Sequence, residues 1–287
     1  MHARWKVIES ASIAKHPDRE NEDRLIFSPN QDNFTIAALV DGASLGSGSY
    51  GAKSSGALAA DRVAASVTEL VASAAPRDAV ESIVTALRDL RNEWNIPASD
   101  LLAPSAAAAV VNGHYLWRVG DIHLAVHRAS GEWEVHPADK AVDQIAAAAR
   151  AALIRFRLAQ GATIQSLLAE DPGPGLIAPL LQEQNAVANL DDETEALAFG
   201  TLNGKPVPDR FIETFPVTED VDGIVLASDG YLSAAPTLNQ AEEELQASLL
   251  LDPLRIGQHA STKATPPGGA SFDDRTYIRI GRTDDRR

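Results

Sequence analysis

Residues 106–127 read AAAAVVNGHYLWRVGDIHLAVH. Three strand-like runs lie here at short spacing: Ala106–Val111, His114–Val119 and Ile122–His127. Asn112-Gly113 stands between the first two, and both residues tolerate positive φ, so a tight hairpin is expected. Strands joined by turns this short pair antiparallel, because a parallel pair needs a long crossover. The same pattern extends outward in both directions. Upstream, residues 24–28 and 33–40 flank Pro29-Asn30-Gln31-Asp32, a turn composition, and Arg4–Glu9 alternates polar with apolar residues. Downstream, Ser130-Gly131 precedes Glu132–His136, and strand signals return at Ala196–Gly200, Phe211–Val217, Gly223–Ala227 and Thr276–Ile280. Helical periodicity covers 50–74, 77–95, 139–160 and 238–250, with a short helix at 176–186. Within 139–160, Ile145, Ala149, Ala152 and Phe156 form the apolar stripe, which leaves Arg150, Arg155 and Arg157 for a solvated face. Strands, two helices, strands, helices, strands: this order predicts a single α+β domain over 1–287, not a doubly wound one.

Composition removes several functional classes. The chain has 287 residues, 25 Lys plus Arg against 40 Asp plus Glu, and a formal net charge of −15. Phosphate backbones and acidic lipids select basic surfaces, so neither nucleic acid nor a membrane is an expected partner. With no cysteine there is no disulfide, thiolate metal site or cysteine nucleophile. The opening MHARWKVIES lacks the apolar stretch of a secretory leader. The expectation is a soluble, cytoplasmic protein in which any metal is held by oxygen or imidazole.

Two segments share one shape, an apolar strand ending in Asp-Gly: Thr35-Ile-Ala-Ala-Leu-Val-Asp41-Gly42 and Ile224-Val-Leu-Ala-Ser-Asp229-Gly230. A buried strand delivers its last carboxylate to a fixed position, and the glycine is expected to turn the chain and leave its carbonyl accessible. Asn21-Glu22-Asp23 and Asp273-Asp274 each stand just before another strand. Four acidic groups at strand ends suit a hard cation such as Mg²⁺ or Mn²⁺, which prefers carboxylate, carbonyl and water ligands. Each group on its own reads more readily as a turn or a solvated loop. Gly46, Gly48 and Gly51 after Asp41 lack the Gly-Lys-Ser/Thr of a Walker phosphate loop.

Taken in order, Asn21-Glu22-Asp23, Val40-Asp41-Gly42, Val119-Gly120-Asp121, Leu226-Ala-Ser228-Asp229-Gly230 and Asp273-Asp274-Arg275-Thr276 resemble the motifs of the type 2C (PPM) metal-dependent protein serine/threonine phosphatases. Asp41-Gly-Ala-Ser44 and Phe199-Gly-Thr-Leu-Asn-Gly204 resemble a bacterial branch, and the likeness runs from Val7 to Ile280. The resemblance implies a four-layer α-β-β-α sandwich, with two central antiparallel sheets and helices outside. It implies two Mg²⁺ or Mn²⁺ ions at one end, and a water activated between them that attacks phosphoserine or phosphothreonine. Asp41 would bridge the ions, Gly42 would offer its carbonyl, and Asp229 and Asp273 would complete one of them. Glu22 and Asp23 would act through water. The implied partners are a phosphorylated protein and a cognate Ser/Thr kinase.

The chain also departs from that pattern. Asp18 stands where the family carries a phosphate-gripping Arg, which leaves Lys15 and Arg19 as candidates for that role. Ala43 replaces a His found after Asp-Gly in eukaryotic members, and the late Asp-Asn is Asp273-Asp274, of which Asp273 is the preferred ligand. The alternative these departures leave is a phosphatase-like protein, weak or inactive, that binds a phosphoprotein partner.

Overall fold

The computed structural model describes residues 5–30, 33–44, 49–50, 52–97, 104–113, 115–138 and 140–283. Twelve strands are named: β1 (Trp5–Ile13), β2 (Asp23–Asn30), β3 (Asn33–Ala43), β4 (Ser49–Tyr50), β5 (Lys53–Ser54), β6 (Ser105–Asn112), β7 (Tyr115–Val119), β8 (His123–Arg128), β9 (Trp133–His136), β10 (Glu213–Pro216), β11 (Val221–Ala227) and β12 (Arg275–Arg282). Six helices accompany them: α1 (Ser55–Thr68), α2 (Pro76–Glu93), α3 (Ala141–Ala159), α4 (Ile164–Ala169), α5 (Gly173–Glu183) and α6 (Leu238–Leu251). Every pairing between named strands is antiparallel.

Where two separate central sheets are expected, hydrogen bonding joins ten strands into one, in the order β10-β7-β6-β3-β1-β12-β11-β8-β9 with β2 on β3. Among the described residues, β1 meets β3 at Trp5↔Phe34, whereas β1 and β12 are in register over nearly their whole length. The sheet curls there, and the inner faces of its two halves share one apolar cluster. Leu39, Ala109 and Leu116 contribute from one side, and Leu124, Leu226 and Ile278 from the other.

Alternation along β3 shows how the sequence encodes this. Ala37 and Leu39 face the other half of the sheet, while Ile36, Ala38 and Val40 face α1 and α2. A strand buried on both faces needs apolar residues at every position, hence the unbroken Ile36–Val40. On the helix side, Ala59, Ala60 and Val63 of α1 and Val80, Ile83 and Leu87 of α2 complete the cluster. Ala241 and Leu245 of α6 cover Val225, Ala227 and Tyr277 on the outer face of the other half.

Four expectations are corrected. β7 and β8 do not form a hairpin. β7 pairs β6 and β10, while β8 pairs β11 and β9, so the chain crosses from one half of the sheet to the other at Gly120-Asp121. Gly120 has φ +90, and a Cβ there would lie 2.6 Å from the Ala107 Cβ, so glycine alone fits the crossing. Ala196–Gly200 is no strand and makes only a bridge from Phe199 to Ala188. Ile145 and Phe156 of α3 are exposed, and the buried face is Val142, Ala146, Ala147, Arg150, Ala151 and Ile154. Neither Asp41-Gly42 nor Asp229-Gly230 needs a left-handed glycine, since no positive φ occurs at either, and β3 runs on to Ala43. Among the described residues, no helix is long and apolar enough to cross a membrane.

Candidate active site

A cavity of about 870 Å³ opens at the end of the curled sheet where β3, β11 and the β7–β8 crossing finish. Nine carboxylates and four cationic side chains line it, among them Asp41, Asp121, Asp229, Asp273, Lys15 and Arg19. Leu168, Ile177 and Leu181 from α4 and α5 add an apolar wall. Gly46, Gly48 and Gly51 lie outside the described residues.

Register brings the first two acids together. Asp23 on β2 is the cross-strand partner of Asp41 on β3. The Asp41-Gly42 glycine allows close backbone approach: a Cβ on Gly42 would lie 2.2 Å from the Gly56 carbonyl oxygen, so β3 can touch the start of α1 only without a side chain. Gly230 behaves likewise, since its Cβ would fall 1.9 Å from the Asp274 carbonyl oxygen.

A hydrogen-bonded chain ties three of the motifs. Ser228 Oγ donates to Asp23 Oδ2 at 2.8 Å and accepts from the Thr276 amide at 2.9 Å. Thr276 Oγ1 bonds Ser12 Oγ at 2.8 Å, and Asn21 Nδ2 donates to Ser12 Oγ at 2.9 Å. Asn21 Oδ1 then accepts from the Asp23 amide at 2.9 Å and closes the circuit. Asp23 is buried and its Oδ1 has no partner.

Asp273 and Asp274 have separate tasks. Asp274 is buried and holds backbone: its Oδ1 accepts from the Lys15 amide at 2.7 Å and its Oδ2 from the Glu22 amide at 3.0 Å. Asp273 is half-buried, with Lys263 Nζ at 2.6 Å from Oδ2 and Lys15 Nζ at 3.4 Å from Oδ1. Glu22 accepts from Ser44 and Ser54 and pairs with Lys15 at 3.5 Å.

The electrostatics follow from this crowding. Burial, then the charges of Asp23, Asp229 and Asp273, push the Asp41 carboxyl well above the usual carboxylate range. Burial, then Asp273 and Asp121, lift Asp229 in the same way. Asp229 stays open to the cavity, which gives the crowded charges the greater weight. Burial alone would raise Asp273 as well, but the ammonium groups of Lys263 and Lys15 outweigh it and hold that carboxyl below its ordinary value. Burial would lower Lys15, yet Asp273, Glu22 and Asp274 push it upward.

The two phosphate-binding candidates therefore differ. Lys15 is committed to three carboxylates. Arg19 is exposed at the cavity wall and makes no ion pair with a described residue. Asp121 has no role in the motif pattern, and its signal in the sequence is a Gly-Asp that follows a strand. Lys140 and Lys263 also line the cavity, and no motif marked either.

The donor set suits a hard divalent cation, being carboxylate oxygen throughout, with Asp41 and Asp229 each burdened by neighbouring negative charge. Among the described residues, no three His, Asp or Glu side chains converge tightly enough to enclose an ion as they stand.

Solved structures with similar architecture include phosphatases. The catalytic domain of the serine/threonine protein phosphatase PstP, in complex with two manganese ions, matches over 99% of each chain at 17% identity with a TM-score of 0.50. The fold is that of the type 2C serine/threonine phosphatases. Also similar to the chain are PstP/Ppp of Mycobacterium tuberculosis (16% identity, 98% of this chain and 99% of that one, TM-score 0.47) and Stp1 of Staphylococcus aureus (14%, 95% and 94%, 0.47). No protein-family model and no curated protein matches the sequence. At these identities the likeness to type 2C structures concerns architecture, and the chemistry rests on the cavity.

Proposed function

We propose that this chain is a divalent-metal-dependent phosphatase of phosphoserine and phosphothreonine in proteins. The observation that carries the reading is the meeting of Asp41, Asp121, Asp229 and Asp273 in one cavity of a type 2C fold. We read the architecture in the same sense, as a four-layer α-β-β-α arrangement. Its support is the inner cluster between the two half-sheets and the separate clusters under α1–α2 and α6.

Asp41, Asp229 and Asp273, with the Gly42 carbonyl, are the residues that would hold Mg²⁺ or Mn²⁺. A bound divalent ion supplies a lowered water pKa and offsets charge on phosphoryl oxygens. Asp23 and Glu22 brace the β2–β3 end from behind, through Ser228 and through Ser44 with Ser54. Arg19 takes the substrate phosphate, because its guanidinium has no acidic partner among the described residues and lines the cavity. Lys15 fixes the acidic cluster. A second reading, a binding protein without turnover, draws on the two ammonium groups that already face Asp273.

The test is hydrolysis of p-nitrophenyl phosphate and a phosphothreonine peptide with and without Mn²⁺. Turnover should require the metal and fall at least about a hundredfold in Asp41→Asn. Arg19→Ala should raise KM roughly tenfold or more and leave kcat nearly unchanged, as loss of a charged hydrogen bond to bound phosphate would. Mn²⁺ binding with no turnover on either substrate would favour the binding protein.

A further inference from the structure

The acids of the cavity fall into two electrostatic classes. No described Lys or Arg comes within ion-pair distance of Asp41, Asp121 or Asp229, although Lys140 and Lys263 act on Asp229, and Lys140 on Asp121, from farther off. Asp273 is the opposite case, with an ammonium group on each carboxylate oxygen, Lys263 at 2.6 Å and Lys15 at 3.4 Å.

The two lysines are not alike. Lys15 has a side chain 13% exposed and is also tied to Glu22 and Asp274, so it is part of the framework. Lys263 has a side chain 39% exposed and, among the described residues, pairs with Asp273 alone. It lies in the irregular segment between α6 and β12, outside any helix or strand. A long, flexible side chain with one partner and an open side can leave without disturbing the fold.

We infer that Lys263 is a tethered cation that competes with a divalent ion for Asp273. The inference rests on the metal-dependent reading above and adds an order of occupation to it. A first ion is taken up on the side of Asp41 and the Gly42 carbonyl, where no ammonium group is displaced. A second, the one that Asp229 and Asp273 would complete, reaches Asp273 only as the Lys263 ammonium withdraws, so its affinity is lower by the strength of that pairing. Lys263 acts on the metal through Asp273 and is a positioning residue.

The test counts bound Mn²⁺ by the electron paramagnetic resonance signal of the free ion, in the full chain and without substrate. The wild type should show one tight equivalent and a second at least about tenfold weaker, a gap of roughly 1.4 kcal/mol. Lys263→Gln and Lys263→Met should tighten the second by that factor and leave the first unchanged. Lys263→Arg keeps the charge and should bind as the wild type does. Circular dichroism verifies that each variant is folded, and the wild-type isotherm is informative without any variant. Two equally tight ions in the wild type, or an unchanged second affinity in both neutral variants, overturns the inference. If peptide turnover persists in that case, the phosphatase reading survives. Absence of Mn²⁺ binding in every protein overturns both.

Discussion

Asp23 carries an unusual electrostatic load for one carboxyl. Burial pushes its pKa from 3.8 up to about 7, the Ser228 and Thr276 hydrogen bonds pull the other way, and Asp273 and Asp274 add repulsion. The folded state therefore holds this proton more tightly than the unfolded chain does. Its contribution to stability is complete below the unfolded value, declines as pH rises towards about 7, and is lost above that. Asp23→Asn keeps an oxygen to accept from Ser228 and removes the titration. In EDTA the variant should melt several degrees above wild type near about pH 8, with the gap closing towards about pH 5. A difference that stays constant across that range would mean that the charge is not its origin. The same residue shows where sequence reading stops. Asn21-Glu22-Asp23 is visible as an acidic group ahead of a strand, but the partner of Asp23 is Ser228, more than two hundred residues away. No local pattern encodes that pairing.

At the scale of elements, α3 departs most from expectation, and alanine is the reason. Eight of its nineteen residues are Ala, which packs acceptably on either face, so a stripe through Ile145 and Phe156 reads as well as the one through Val142 and Ile154. The helix is oriented instead by Arg150, which is fully buried. Its Nε and Nη2 donate to Asp171 at 2.9 and 2.6 Å, and its Nη1 reaches the carbonyls of Leu254, Arg255 and Ser261 at 3.0 to 3.2 Å. One side chain thus pins α3 to the start of α5 and to the segment after α6. The strands were easier to read. Asn112-Gly113 and the unbroken apolar run of β3 each admit one solution, whereas a buried arginine resembles a surface one in sequence. Arg150→Met leaves the half-buried Asp171 without its cation and three carbonyls without their donor, and should cost about 3–5 kcal/mol in urea unfolding. Adding Asp171→Asn should recover part of that loss. Additive losses would mean that the pair does not act as a unit. Limited proteolysis should show the first cuts of the single variant between α3 and α5.

For the whole molecule, the acids of the cavity join two bodies. Asp41 lies near the end of a strand of one half-sheet, Asp229 and Asp273 flank strands of the other, and Asp121 sits on the crossing between them. Among the described residues the hydrogen-bonded joint between the halves is Trp5↔Phe34, and their inner faces pack together in one apolar cluster. The carboxylates of Asp41, Asp121 and Asp229 gathered at that seam oppose it, and the net charge of −15 adds a diffuse repulsion. A divalent ion that binds only the folded chain relieves the first term at its source. At a hundredfold excess over its Kd it adds about 2.7 kcal/mol, enough to raise Tm by a few degrees in a chain of this size. Monovalent salt can relieve only the second term, by screening. Millimolar Mn²⁺ should therefore raise Tm, NaCl at matched ionic strength should not reproduce the shift, and Asp229→Asn should remove most of it. If NaCl gives the same rise, or Asp229→Asn keeps it, the stabilisation belongs to the overall charge, and the seam holds no specific ion.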